Sequence, residues 1–253
     1  MKANQTKFFA PQHEYDRQFQ LSMVIISWVV VIWGFTPNLL KFVNGEMPPP
    51  PFILHLHAIV FFGWLILYTI QSLLIRNKQL DAHRKLGKFT AYWAVLIVGF
   101  GIATAIIMNQ YKFDNGRAHE IAFIAVPFVD MLTFPILIVA ALLNIKDPSA
   151  HKRLMLIATI ELLGAGFGRA LGPIFGPFFG RMLGDNMFSF WLSVFLGGYI
   201  MVTIAMLYDF ATRKQIHKIY LIVMPLIICM HLICAYLFKA PFWPPIVLQI
   251  IGR

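Results

Sequence analysis

The stretch Leu54–Gly87, LHLHAIVFFGWLILYTIQSLLIRNKQLDAHRKLG, decides the fold class. It is an apolar run entered through His55 and His57 and left through a basic segment, with His83 standing where the next apolar run begins. A hydrocarbon core about 30 Å thick is crossed by ~20 apolar residues in helical form, so residues 53–75 read as a transmembrane helix. Six further runs qualify, at roughly 22–40, 86–108, 120–143, 154–172, 187–208 and 219–238. With 59% hydrophobic and 13% charged residues, the chain is too apolar for a soluble domain.

The fold class is therefore all-α: a polytopic membrane protein with seven transmembrane helices in a single integral membrane domain, residues 1–253. Residues 1–21 form a polar segment that lacks the layout of a cleavable signal peptide, 53–172 a four-helix core of spans two to five, and 187–238 two additional spans. The net charge of +10 does not point to nucleic acid, because the Lys and Arg residues lie in short loops between apolar runs. With the amino terminus inside, 14 of the 21 basic residues fall on the inner side, Lys2, Lys7, Arg17, Arg76 and Arg153 among them. That bias implies a bacterial-type inner membrane topology, amino terminus inside and carboxyl terminus outside. Cys229 and Cys234 are five residues apart on one helix and point in different directions, so no disulfide is implied.

The prolines at 48–51 cannot be helical and fix where the second helix starts, so His55 and His57 fall in its first two turns. Residues i and i+2 on a helix diverge by about 200°, so only one of the pair faces inward, and His57 is the better candidate. Trp64 and Gln71 follow at steps of seven on nearly the same stripe. The fourth span opens at His119-Glu120 and carries Asp130 on almost the same face. The fifth follows His151 and holds Glu161, with Arg169 eight residues later on a similar face. Buried charges at such depth default to a functional hypothesis; the bland alternative is a structural pair in which Arg169, His231 or a tyrosine satisfies a carboxylate. Gly172–Asn186, rich in Gly, Pro and Phe, reads as a loop that dips back into the interface. The tail APFWPPIVLQIIGR reads as interfacial.

His57, His83, His119 and His151 alternate between the two membrane sides over four consecutive helices. In an up-down bundle His57 would meet His119 and His83 would meet His151, giving two bis-imidazole levels suited to haem iron. This layout is similar to that of the four-helix, di-haem, ascorbate-reducible cytochromes b, and His57, Trp64, Arg76 and His83 resemble that family's His…Trp…Arg…His progression. The resemblance covers roughly residues 53–172 and implies haem b, transmembrane electron transport and an oxidoreductase of the quinone or ferric reductase kind. Gln71-x-x-Leu74-x-Arg76, His83-Arg84-x-Leu86-Gly87 and His151-Lys152-Arg153-Leu154-Met155 also resemble elements of an uncharacterised bacterial multi-pass membrane family, which supplies no activity. Two other readings stand beside haem. One is a non-haem site for Fe, Cu or Zn in the outer leaflet, built from His55, His57, His119, His231 and a mid-membrane carboxylate. The other is a proton-coupled transporter or an accessory subunit of a larger membrane complex, in which Asp130 and Glu161 relay protons or pin helices. Lipid is a partner in all of them.

Overall fold

The computed structural model describes residues 9, 10, 12–46 and 48–253; Lys2 and Lys7, which entered the charge argument, lie outside the described residues. Among the described residues every regular element is helical. The elements are α1 Asp16–Val43, α2 Phe52–Arg76, α3 Leu80–Asp114, a 3₁₀ turn Ala118–Ile124 leading into α4 Ala125–Leu143, α5 Pro148–Leu162, α6 Gly164–Leu183, α7 Met187–Arg213, α8 Lys218–Lys239 and α9 Trp243–Ile250. Six helices are long and apolar enough to cross a membrane, and a seventh crossing is made if α5 and α6 count as one span. The chain is thus an integral membrane protein by length and composition of its helices.

Local sequence sets the helix starts. Pro51, extended at φ −50 and ψ 143, immediately precedes α2, so the proline run does delimit it and His57 sits in its second turn. Asp147 caps α5, its carboxylate accepting from the Ser149 and Ala150 amides, with Pro148 in the first turn. Asn186 and Ser189 form a reciprocal capping box at the start of α7. The basic segment before the third span is shorter than the sequence implied: α3 begins at Leu80, so His83, Arg84, Lys85 and Lys88 are helical residues rather than loop residues.

The ends of the helices define two faces. One, here termed the basic end, carries the starts of α1, α3, α5 and α8 and the ends of α2, α4 and α7; the far end carries the opposite termini and α9. Helix α4 runs through the centre, touching α3, α5 and α8, with Phe134 fully buried. Trp64 of α2 stands edge-on to Phe134 with ring centroids 5.0 Å apart and donates to Thr159 Oγ1 at 3.3 Å, so the His57–Trp64–Gln71 stripe does face other helices. At the far end Trp243 donates to the Ala122 carbonyl at 3.0 Å and Gln110 to the Ile251 carbonyl at 2.8 Å, which ties the tail onto the bundle as a short capping helix.

Two expectations need correcting. The fifth span is not one straight helix over 154–172: α5 stops at Leu162, and α6 leaves at 54°. Nor is Gly172–Asn186 a loop, since α6 stays helical to Leu183 through Pro173 and Pro177. The reason is packing that a local reading does not see. A Cβ added to Gly34 of α1 would lie 2.4 Å from the Gly166 carbonyl oxygen, and one added to Gly197 of α7 would lie 2.5 Å from the Phe167 ring. Only glycines there let α6 wedge between α1 and α7, and that wedge requires the chain to turn at Leu163.

Candidate metal centre

The break after Leu162 falls one residue beyond Glu161, and there α4, α5 and α8 bring three ligating side chains together. An oxygen of Asp130, an oxygen of Glu161 and a nitrogen of His231 all lie within 4.8 Å of one another. His231 Nε2 is 3.2 Å from Glu161 Oε2, and Thr133 Oγ1 is 3.2 Å from the same oxygen. The other imidazole nitrogen, Nδ1, is 2.8 Å from the Tyr199 hydroxyl, which in turn accepts from Trp191 Nε1 at 3.0 Å. Phe195 stacks flat on the imidazole with ring centroids 3.8 Å apart. The imidazole is thus fixed by a hydrogen bond on one edge and an aromatic face, leaving Nε2 aimed at the carboxylates. That is how proteins orient metal-ligating histidines. Among the described residues, no protein donor is hydrogen-bonded to the Asp130 carboxylate, whose neighbours are the Glu161 charge and the Cys234 thiol. Helix backbone within a membrane is left irregular only where it is buried in protein or lines a cavity, and the Leu163 break is buried beside this cluster.

The sequence reading offered His231 as one possible partner of a mid-membrane carboxylate, beside Arg169 and a tyrosine, and as one member of an outer-leaflet metal set. It did not single out Asp130, Glu161 and His231 as one cluster, because they come from three helices and no spacing connects them. It also placed Arg169 on the Glu161 face, which the bend corrects: Arg169 turns away onto the Phe35 ring of α1, 4.6 Å from its centroid, and donates to the Ala165 carbonyl. The shared stripe of His119 and Asp130 fails for a related reason. The 3₁₀ turn has three residues per turn, so an eleven-residue helical repeat does not carry across it.

The two histidine levels fare differently. At the far end His119 is 78% exposed on its side chain and lies 3.9 Å from Glu120. His57 instead sits among Phe61, the Phe100 backbone and the charge of Arg169, so these two are not brought together. At the basic end His83 and His151 are near enough to feel each other's charge. His151 Nδ1 is 2.8 Å from the Ala141 carbonyl, which places its proton on Nδ1 and leaves Nε2 free. His83 Nδ1 is 2.5 Å from the Gln71 amide nitrogen once that amide is oriented to satisfy its neighbours; its Nδ1 is then an acceptor and its proton sits on Nε2. The far level therefore brings no imidazole pair together. The outer-leaflet metal set is likewise dispersed: His55 is exposed near Phe42 and Phe52, His119 faces outward beside Glu120, and of the four, among the described residues, His231 alone reaches a mid-membrane carboxylate.

A second polar cluster lies at the basic end. Arg153, buried, makes a two-pronged pair with Asp209 and also donates to Ser149. Asp16 accepts from Lys152 at 2.6 Å, with both of its oxygens from Arg213 Nη2 at 2.7 and 2.8 Å, from the Tyr208 hydroxyl at 2.8 Å and from the His13 amide at 3.0 Å. Phe9 covers Arg153 and Arg213 and meets His217 edge-on at 4.6 Å. His217 Nδ1 accepts from the Ile219 amide and caps α8; burial, and then the Arg153 charge, push its pKa down to about 4.

No family model, no curated protein and no solved structure matches the chain.

Proposed function

We propose that the chain is an integral membrane protein that binds a divalent transition-metal ion at Asp130, Glu161 and His231, and that it works as a carrier for that ion. The carrying observation is the convergence of two carboxylate oxygens and one oriented imidazole nitrogen within 4.8 Å, at a helix break inside the bundle. The donor set fits. Metal bonds to imidazole and carboxylate run to about 2.0–2.2 Å, so ligand atoms around one ion stand about 3.3 Å apart, and the cluster reaches that by side-chain rotation of about an ångström. Two carboxylates and a neutral imidazole carry two negative charges, which one divalent ion neutralises; charge left uncompensated in a bilayer is costly. Oxygen-rich ligands with a single imidazole favour Mn²⁺, Fe²⁺ or Zn²⁺ over soft monovalent copper.

Each residue has a part. Glu161 and Asp130 supply the opposing charge, His231 fixes one coordination direction, and Tyr199 with Trp191 holds His231 in place. Discontinuous helices at the membrane midplane are a recurrent means of building ion sites in carriers, and the α5–α6 break supplies one here. The preponderance of Lys and Arg at the basic end supports a cytoplasmic placement of that end and the amino terminus inside, in what the sequence resemblance implies is a bacterial inner membrane. The α2–α5 grouping that a di-haem layout needs is open to α8, which packs on α4 and delivers His231 to the centre.

The test is a titration of the purified, chelator-stripped full chain with Mn²⁺, followed by electron paramagnetic resonance. One ion per chain is expected, with binding lost in Asp130→Asn and Glu161→Gln while the thermal transition is kept. A folded wild-type chain that takes up none of Mn²⁺, Fe²⁺ or Zn²⁺ overturns the reading. So does a haem absorption spectrum that disappears in His83→Ala or His151→Ala.

A further inference from the structure

Asp16 joins the saturated cluster at the basic end, but the residues around it build something else. His13, Glu14, Arg17 and Gln18 line a separate cleft of about 540 Å³, together with Arg76 and Asn77 at the end of α2. The two helices meet there directly, Arg76 Nη1 donating to the Arg17 carbonyl at 3.5 Å. Every side chain lining the cleft is polar.

The arginines of the cleft differ from those of the cluster beside it. Arg153 and Arg213 are ion-paired with Asp209 and Asp16. Arg17 and Arg76 pair with no carboxylate among the described residues, Glu14 in the same cleft included. Exposed guanidiniums cost little unpaired; what they offer is capacity, since each presents a planar fork of donors that matches the oxygens of a phosphate. The wall that carries Arg17 is preformed. The His13 amide donates to the Asp16 carboxylate at 3.0 Å, the Asp16 amide donates to the His13 carbonyl at 3.1 Å, and Asp16 is anchored to α5 and α7. His13 Nδ1 accepts from the Tyr15 amide at 3.3 Å, which puts the proton of the neutral ring on Nε2 as a further donor. Little ordering is left for a ligand to impose.

Size and lining restrict what accompanies the phosphate. Small-molecule sites run to roughly 300–1,000 Å³, a range that includes this cleft and far exceeds one phosphate ion. With no apolar side chain in its lining, the cleft offers nothing to a nucleobase or an acyl chain. Glu14, Gln18 and Asn77 suit hydroxyl groups, Glu14 as an acceptor.

We propose that this cleft binds a phosphate ester of a polyhydroxy alcohol, its phosphate held between Arg17 and Arg76 and its hydroxyls by Glu14 and the side-chain amides. That chemistry occurs free, as in glycerol 3-phosphate, and as the headgroup of phosphatidylglycerol. The site is separate from the metal centre and does not depend on it.

The experiment is a thermal-shift titration of the purified full chain in phosphatidylcholine nanodiscs, in two arms: glycerol 3-phosphate added to the buffer, and phosphatidylglycerol included in the disc. Binding to the folded state should raise the transition in at least one arm. A rise in the first alone marks a soluble ligand, and in the second alone a lipid headgroup. In the arm that responds, Arg17→Gln and Arg76→Gln should each weaken binding about tenfold, as loss of a charge-assisted fork requires. Arg84→Gln, which alters an exposed arginine paired with Asp81, should leave binding at the wild-type value. Glu14→Leu should weaken the ester and spare inorganic phosphate. No shift in either arm overturns the proposal. So does a shift that persists in both Arg17→Gln and Arg76→Gln, or one that Arg84→Gln removes equally, which would mark diffuse attraction to the basic end. Inorganic phosphate that binds as tightly as glycerol 3-phosphate overturns the ester assignment. Both cleft arginines are exposed, and if either variant fails to fold the other decides, together with Glu14→Leu.

Discussion

The basic end and the bundle centre each hold a group of buried polar and ionisable side chains, and the two are built on opposite plans. At the basic end each carboxylate is surrounded by donors: Asp16 takes hydrogen bonds from Lys152, Arg213, Tyr208 and the His13 amide, and Asp209 is gripped by Arg153 with Arg213 3.6 Å away. At the centre Glu161 meets one imidazole and one threonine hydroxyl, and Asp130 beside it has no bonded donor among the described residues. A saturated network gains nothing from a further ligand and locks the helices it joins. A donor-poor one has coordination capacity left over. The comparison therefore separates a structural cluster from a binding one without appeal to any relative.

The largest effect should come from breaking the saturated side. Asp209→Ala leaves Arg153 buried without its partner, and removing one member of a buried pair costs roughly 3–5 kcal/mol. Thermal unfolding in detergent should show a collapse of the transition, whereas Arg84→Ala, whose pair with Asp81 is exposed at 3.6 Å, should leave it within about 0.5 kcal/mol of wild type. Equal effects from the two would mean that burial does not set the strength of these pairs.

Next comes the wedge that creates the central site. Gly34→Val puts a Cβ 2.4 Å from backbone at Gly166, which no rotamer relieves, so α1 and α6 must part at a cost of about 1–3 kcal/mol. Gly168→Ala, where nothing lies within 4 Å, is the matched control and should be close to neutral. If the bend at Leu163 depends on the wedge, Gly34→Val should also weaken metal binding although it touches no ligand.

These positions show how far the sequence could be read. The spans were legible because run length against membrane thickness is a local property, and the inward stripe of Trp64 was legible because seven residues return to one helix face. Asp130 and Glu161 stood out because charge inside an apolar run is rare. The bend was not legible, since Gly164, Gly166 and Gly168 mark close approach without saying which partner approaches or that the helix must turn to meet it. His231 looked like an interior histidine satisfied by a neighbour, and so it is; that its neighbour is Glu161 depends on α8 crossing α4, which no pattern within either helix records. The histidine alternation was real in the sequence, but the 3₁₀ turn carries His119 outward, away from His57.

A smaller effect is expected from pH at the basic end. His217 titrates at 6.5 when exposed in the unfolded chain but at about 4 in the fold, where burial and Arg153 oppose its charge while Asp209 and Asp147 partly offset them. The unfolded chain therefore binds the extra proton first. Stability is full above pH 6.5 and is lost progressively as pH falls toward 4, where protonated Nδ1 can no longer accept from the Ile219 amide. His217→Asn keeps an acceptor at the start of α8 and should flatten this part of the pH profile of the melting temperature. An unaltered profile would assign the acid sensitivity to another group.

The smallest effect on stability should come from the centre itself, and it tests the contrast most directly. Asp130→Asn removes a carboxylate that no donor among the described residues hydrogen-bonds and keeps the volume. If the cluster exists for a ligand, the metal-free fold loses nothing, and the melting temperature of the stripped variant should match or exceed wild type. Adding Mn²⁺ should then raise the transition of the wild type, by mass action on the folded state, and leave the variant's unmoved. A variant destabilised as severely as Asp209→Ala would place Asp130 in the same structural class as the basic end. The two plans would then differ only in how completely each is hydrogen-bonded, and spare coordination capacity would no longer distinguish a binding cluster from a structural one.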